Sequence, residues 1–234
     1  MAELVIPRRY RGPPESANGG YACGAVAAFL DGPAEVTLRS PPPLDRPLEV
    51  QQRENGVCVV TDGRLVAEAT PTTLALDPPP PPSFEEATAA TGRYPWQDRH
   101  PLPGCFVCGP QRSPGDGLCL FPGPVEGRQI AAAPFVPDAT LVDEAGLTHP
   151  EIVWAALDCP SWFGYLCLHP DFSDGALLGR QAVRIDERPR LGERCVCVGW
   201  FIAGEGRKLT CGAALYSETG ALQALGRATW IVLR

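Results

Sequence analysis

Asp158 closes the apolar run Ile152-Val153-Trp154-Ala155-Ala156-Leu157 and is followed by Pro160, a residue that ends helices. That order predicts a carboxylate near a helix C-terminus, where the macrodipole disfavours negative charge by roughly 0.3–1 kcal/mol. An acid placed where stability prefers something else is a candidate general base, with a capping or hydrogen-bonded aspartate as the plainer reading. A complementary feature stands at Asn18-Gly19-Gly20. Read as a helix start, Asn18 is the N-cap and the amides that follow lack intrahelical acceptors. Glycine lets a carbonyl approach them closely, and the dipole favours an oxygen that is gaining negative charge. The same three residues also fit a tight entry turn capped by Asn18, and both readings can hold together.

Other polar candidates have plainer readings. Asp31 precedes Gly32-Pro33, a turn-and-stop sequence, and is expected to be a solvated helix terminus. Ser161, three residues after Asp158, can hold a water, orient the carboxylate or sit in a Pro-Ser turn. His149 precedes Pro150, which suits a first helical position, so its favoured role is the cap, with polarisation of a bound carbonyl as the alternative. Glu151 is the reserve carboxylate. Trp154, Trp162 and Phe163 either line a pocket or fill the core. Cys105 and Cys108 have the spacing of a metal or redox pair. A structural zinc wants four ligands, however, and the local supplements are only His100 and Cys119. A redox pair needs a helix start, whereas Gly104, Gly109 and Pro110 make this a loop. No metal and no cofactor are expected, with Cys105 and Cys108 packing a loop.

The elements that must carry these residues are legible as a repeat. Ala34 to Val50 aligns with Gln181 to Cys197 without a gap, at a constant offset of 147 residues. Each copy reads as a strand, a polar Pro-containing link and a second strand. Downstream, Asp62-Gly63 and Thr219-Gly220 each read as a two-residue hairpin turn. Upstream, Gly20 to Leu30 and Pro150 to Leu157 are apolar nearly all round, as a buried helix is. Each half therefore reads as one buried helix followed by three or four antiparallel strands. The five prolines at 78–82 form a stiff connector, with a boundary near residue 95, giving units 1–95 and 96–234.

Composition narrows the classes further. The chain has 234 residues, 44% of them hydrophobic, with a net charge of −7, which suits a globular protein and gives nucleic acid no basic surface to bind. With 27 prolines and 25 glycines, long helical bundles are excluded. The single lysine, Lys208, stands beside 19 arginines, a skew that reads as codon usage and so discounts scattered arginines as anion sites. No apolar run has the length of a membrane span, and Met1 to Tyr10 lacks the apolar core of a signal peptide, so a cytoplasmic location is expected, with the ten cysteines as reduced, buried hydrophobes.

A single helix wrapped by a curved antiparallel sheet is the hotdog arrangement. The second half resembles hotdog acyl-CoA thioesterases of the phenylacetyl-CoA type, in Cys105-Phe106-Val107-Cys108-Gly109, in Gly117-Leu118, in a strand near Gln129 to Phe135 and in His149 to Asp158. Asn18-Gly19-Gly20-Tyr21 looks like the start of the same helix in long-chain acyl-CoA thioesterases. The resemblance implies an α+β double hotdog that hydrolyses an acyl-CoA or acyl-carrier thioester, with no membrane partner and with room for a homodimer. In such thioesterases the helix opens with His-Gly-Gly and carries its acid about nine positions on. Here His149 and Asp158 keep that spacing but Pro150-Glu151 replace the glycines, while Asn18-Gly19-Gly20 keeps the glycines and has Ala27 where the acid would be. The resemblance thus implies one composite site, with Asp158, Gly19, Gly20 and Ser161 as catalytic residues and Asn18, Tyr21, His149 and Trp162 binding substrate. A non-catalytic acyl-CoA-binding protein is the alternative. A hotdog hydratase or dehydratase, pairing His149 with Asp158 or Glu151, is the third reading.

Overall fold

The structure is a computed structural model and describes residues 2–233. A strand β1 (Ala2–Val5) and a short 3-10 turn (Arg8–Tyr10) lead to helix α1 (Gly19–Ala27). Strands β2 (Ala34–Leu38), β3 (Pro47–Arg53), β4 (Gly56–Thr61) and β5 (Arg64–Pro71) follow, then helix α2 (Phe84–Thr91). The second half runs β6 (Gly123–Pro124), β7 (Ala131–Phe135), α3 (Pro150–Ala156), α4 (Asp158–Leu166), β8 (Ala176–Ile185), β9 (Cys195–Glu205), β10 (Lys208–Ser217) and β11 (Leu222–Val232). Among the described residues no helix is long and apolar enough to cross a membrane.

The strands form one antiparallel sheet in the order β1-β3-β4-β5-β2-β8-β11-β10-β9-β7-β6. Its middle seam joins the two copies of the repeat. Across β2 and β8, Ala34 faces Val183, Glu35 faces Ala182 and Val36 faces Gln181. Under the 147-residue offset Ala34 corresponds to Gln181 and Val36 to Val183, so the pairing maps onto itself when the halves are exchanged. Both hairpins are present, but only β4 turns into β5 through two residues, Asp62 and Gly63 (φ 49° and 73°). Strand β10 turns into β11 through three, Glu218, Thr219 and Gly220 (φ 84°), closed by Ser217 N donating to Ala221 O at 2.9 Å, so the two-residue turn expected at Thr219-Gly220 is corrected.

Burial along β9 alternates between two cores, as a strand covered on both faces requires. Cys195 and Cys197 face the main core with α1 and α3, while Val196 and Val198 face a second cluster with Ala87 and Ala90 of α2. The segment after β5 therefore crosses to cover the outer face of the second half. Tyr216 Oη donates to Pro79 O at 2.7 Å, seating the proline run on β10. The boundary expected near residue 95 thus falls after α2, a helix that packs on β6 and β7.

The largest departure from expectation lies at Asp158. The apolar helix does not stop there: α3 breaks at Leu157, and α4 begins at Asp158. Pro160 lacks an amide hydrogen, and in a first helical turn that hydrogen has no intrahelical acceptor in any case, so the proline opens α4. Asp158 therefore sits at a helix N-terminus, where the dipole favours its charge, which reverses the expected macrodipole penalty.

Candidate functional site

Helix α1 is sealed at its start by Asn18, whose Oδ1 accepts from Tyr21 N at 2.9 Å. Upstream, Asn18 N donates to Tyr10 O at 2.8 Å, and the Tyr10 ring stacks on Tyr21 with centroids 3.7 Å apart. The cap is thus fixed from both sides. Helices α1 and α3 cross at Gly20 and Gly24, one turn apart on the same face. A Cβ at Gly20 would lie 2.4 Å from Asp158 Cβ and 2.9 Å from Trp154 O, and one at Gly24 would lie 2.6 Å from Glu151 Cα. The glycines are therefore the means by which the start of α1 reaches the acid of the other half.

That approach brings Asp158 into contact with the sequence-predicted helix start. Asn18 Nδ2 donates to Asp158 Oδ2 at 2.7 Å, and Gly20 N donates to the same oxygen at 3.1 Å. The other carboxylate oxygen, Oδ1, is buried and has no hydrogen-bond partner. Asp158 is 2% exposed, and no ion pair among the described residues includes it. Burial pushes its carboxyl up to about 7, the Cys105 thiol adds to the rise, and the Gly20 and Asn18 hydrogen bonds hold it back. Of the first amides of α1, Gly20 N is taken by the acid and Tyr21 N by the cap, while Gly19 N has no acceptor among the described residues.

Asn18, Gly19 and Asp158 open onto a cavity of about 510 Å³ whose walls are mostly apolar. Trp162 and Phe163 of α4 line it together with Leu178 of β8 and Trp230 of β11, while Trp154 packs over Gly24 in the core. An open groove of about 760 Å³ adjoins the cavity through Leu38, Arg39, Gly179 and Ile231 and carries Arg180, Lys208 and Glu205.

The remaining predicted residues stand elsewhere. Ser161 Oγ donates to the Asp158 main-chain oxygen at 2.7 Å and accepts from Trp230 Nε1 at 2.9 Å, so its hydroxyl holds the turn of α4 and not the carboxylate. Tyr21 is buried against Tyr10 and Phe106 and is not in the cavity wall. His149 occupies the N-cap position of α3 without a side-chain capping bond, also outside the cavity wall. Glu151 is half-buried at the α1 crossing, and Asp31 is exposed. Sequence reasoning missed Leu178 and Trp230, which come from strands whose alternation marks them only as inward-facing, and Cys159, which stands beside the acid.

A stability prediction follows from the crossing. Gly20→Ala should destabilise the fold by about 1–3 kcal/mol through forced separation of the helices, although alanine favours a helix by about 1 kcal/mol. A Cβ at Gly19 would lie 2.9 Å from both Cβ and Cδ2 of Leu178, a single side chain and no backbone, so Gly19→Ala should cost less. Denaturant unfolding of both variants measures the difference, and a Gly20→Ala protein as stable as the parent would refute the close crossing.

Comparison with known proteins bears on the fold. No protein-family profile and no curated protein matches the sequence. Among solved structures, a conserved protein of unknown function with a hot dog fold from Alicyclobacillus acidocaldarius aligns over 99% of this chain and 92% of its own, with a TM-score of 0.62 at 13% identity. A tesB protein from Mycobacterium avium subs. paratuberculosis aligns over 93% of this chain and 88% of its own, with a TM-score of 0.60, also at 13% identity. With its large antiparallel sheet and few helices, the chain has the hot dog fold.

Proposed function

We propose that the protein is a thioesterase built as a double hotdog, hydrolysing an acyl-CoA or acyl-carrier thioester at one composite site between units 1–95 and 96–234. The observation that carries this reading is the split state of Asp158: one oxygen is fixed by Asn18 and Gly20 and the other is unpartnered beside an apolar cavity. The acyl chain lies against Trp162, Phe163 and Trp230, and the thioester carbonyl sits at the start of α1. Asp158 Oδ1 takes a proton from water as the water oxygen attacks the carbonyl carbon. The carbonyl oxygen, now negative, accepts from Gly19 N–H at the positive end of the α1 dipole. When the tetrahedral intermediate collapses, the C–S bond breaks and Asp158 returns the proton to the leaving thiolate, so acid and thiol leave and the carboxylate is regenerated.

In the groove Lys208 and Arg180, the latter paired with Glu35 at 3.3 Å, stand near Glu205, and these two cations are the groups that would meet the phosphates of CoA. The test is a panel of acyl-CoA thioesters with detection of the released thiol, run beside the same acyl groups on a short pantetheine-like thiol. Hydrolysis is expected for both series. Arg180→Ala combined with Lys208→Ala should raise KM for the CoA series by roughly tenfold, about 1.4 kcal/mol, and leave the short series unchanged. Equal effects on both would remove the groove from the reading.

One observation favours the non-catalytic alternative: the Gly20 amide, expected to hold the oxyanion, is spent on the acid itself. Binding of acyl-CoA without release of thiol across the whole panel would establish that alternative. The hydratase reading needs a histidine beside the acid, and His149 is outside the cavity wall.

A further inference from the structure

Three thiols that the hydrolysis leaves unused converge beside the acid. Cys105 and Cys108 come from the loop before Gly109, and Cys159 from the first turn of α4; all three are free, buried and part of the cavity wall. Cys108 Sγ is 3.2 Å from Cys159 Sγ, Cys105 Sγ is 4.0 Å from Cys159 Sγ, and the three sulfurs all fall within 4.8 Å of one another. We propose that Cys105, Cys108 and Cys159 form a three-thiolate zinc site whose fourth coordination position is left to a non-protein ligand from the cavity.

The geometry supports a cation over a chance cluster of small hydrophobes. A tetrahedral zinc with Zn–S bonds of about 2.3 Å needs S···S edges of about 3.8 Å, and the observed separations bracket that value. A disulfide between Cys108 and Cys159 would use two of the sulfurs and strand the third, whereas one cation uses all three. His100 supplies an outer contact. Leu102 N donates to His100 Nδ1 at 2.8 Å, which assigns the ring proton to Nε2, and Nε2 stands 3.3 Å from Cys108 Sγ. The histidine is therefore a donor that orients the Cys108 sulfur, as partners of metal ligands do, and not itself a ligand. Each thiol that ligates releases its proton to solvent.

Such a site would fasten the loop of Cys105 and Cys108 to α4 at the residue next to Asp158. Asn18 Nδ2, which holds the acid, is also 3.9 Å from Cys105 Sγ. The sequence-based expectation of no metal counted only His100 and Cys119 as partners. Cys159 lies 51 residues from Cys108, too far for spacing to reveal, and Cys119 is not in the cluster. The inference does not depend on thioester hydrolysis.

The test uses the full-length chain, reduced, stripped with chelator and titrated with Zn²⁺ alone, then with Co²⁺. One zinc per chain is expected by elemental analysis, and the cobalt form should show the intense thiolate charge-transfer absorption of three sulfur ligands. Cys119→Ser should leave both unchanged. His100→Ala should weaken zinc binding by roughly 10–100-fold, and Cys159→Ser by more than that. Should Cys159→Ser fail to fold, the charge-transfer intensity of the parent chain still counts the thiolates. The proposal is overturned by a reduced parent chain that binds no zinc at equimolar concentration, by a cobalt spectrum without thiolate bands, by zinc binding unaffected in folded Cys159→Ser and Cys105→Ser, or by binding of copper(I) but not zinc.

Discussion

Asp158→Asn should lower thioester turnover by on the order of 10²–10⁴ and leave the fold intact. The substitution is nearly isosteric. The side-chain oxygen of asparagine can still accept from Asn18 Nδ2 and Gly20 N, and its amide group takes the place of the unpartnered Oδ1. What disappears is the capacity to take a proton from water. Because the carboxylate is buried without a cation, replacing it with a neutral amide should leave the melting temperature unchanged or higher. Gly19→Val should act on the same step by crowding an amide whose loss typically costs about 3 kcal/mol of transition-state stabilisation. The two defects should combine far less than additively, as parts of one catalytic unit do. Asp31→Asn, at an exposed turn, should change nothing. Rates measured with the best substrate of the panel, alongside thermal unfolding, decide the matter. Full hydrolysis by Asp158→Asn together with its loss in Glu151→Gln would move the acid to the other carboxylate.

The second large effect concerns the proposed units. Residues 96–234 expressed alone should fail to give a soluble, folded protein. The fragment would lose β2 from the edge of β8 and α1 from the face of α3. It would also lose α2, and with it the cover over Ala132, Val196, Val198 and Ala214 on the outer face. An unpaired strand edge and two uncovered apolar faces favour aggregation. Circular dichroism and size exclusion on the purified fragment are the measurement. A monodisperse fragment with cooperative unfolding would show that the second half needs none of these partners.

How far the sequence carried the reading depended on whether a signal was local. The buried helices, the paired strands and the Asp62-Gly63 turn are short-range patterns, and the structure contains them at the expected places, while the turn at Thr219-Gly220 proves one residue longer than its sequence suggested. Asn18 as a cap was legible for the same reason. Its second role, donating to Asp158 from 140 residues away, was not, because no local pattern says which helices cross. The break at Leu157 was misread because proline carries two meanings: it stops a helix from within and is welcome in a first turn, and only the following residues Ser161 to Leu166 distinguish them. The cavity wall at Leu178 and Trp230 comes from β8 and β11, whose inward residues look alike in sequence whether they meet a core or an empty space. Cys159 was invisible as a partner of Cys105 and Cys108 because convergence of distant thiols is a property of the fold.

The seam between β2 and β8 has a consequence for how such a protein can change over generations. In a pair of identical chains every substitution is made twice, so losing an acid at one helix crossing means losing it at both. Here the two sides of the seam belong to one polypeptide and mutate separately. Ala27, nine positions after Asn18 at the end of α1, is a buried methyl group, whereas Asp158, nine after His149 and just past the end of α3, is a carboxylate. Within one polypeptide the two sides of the seam are independently inherited surfaces, so that one side is free to specialise while the other has only to pack.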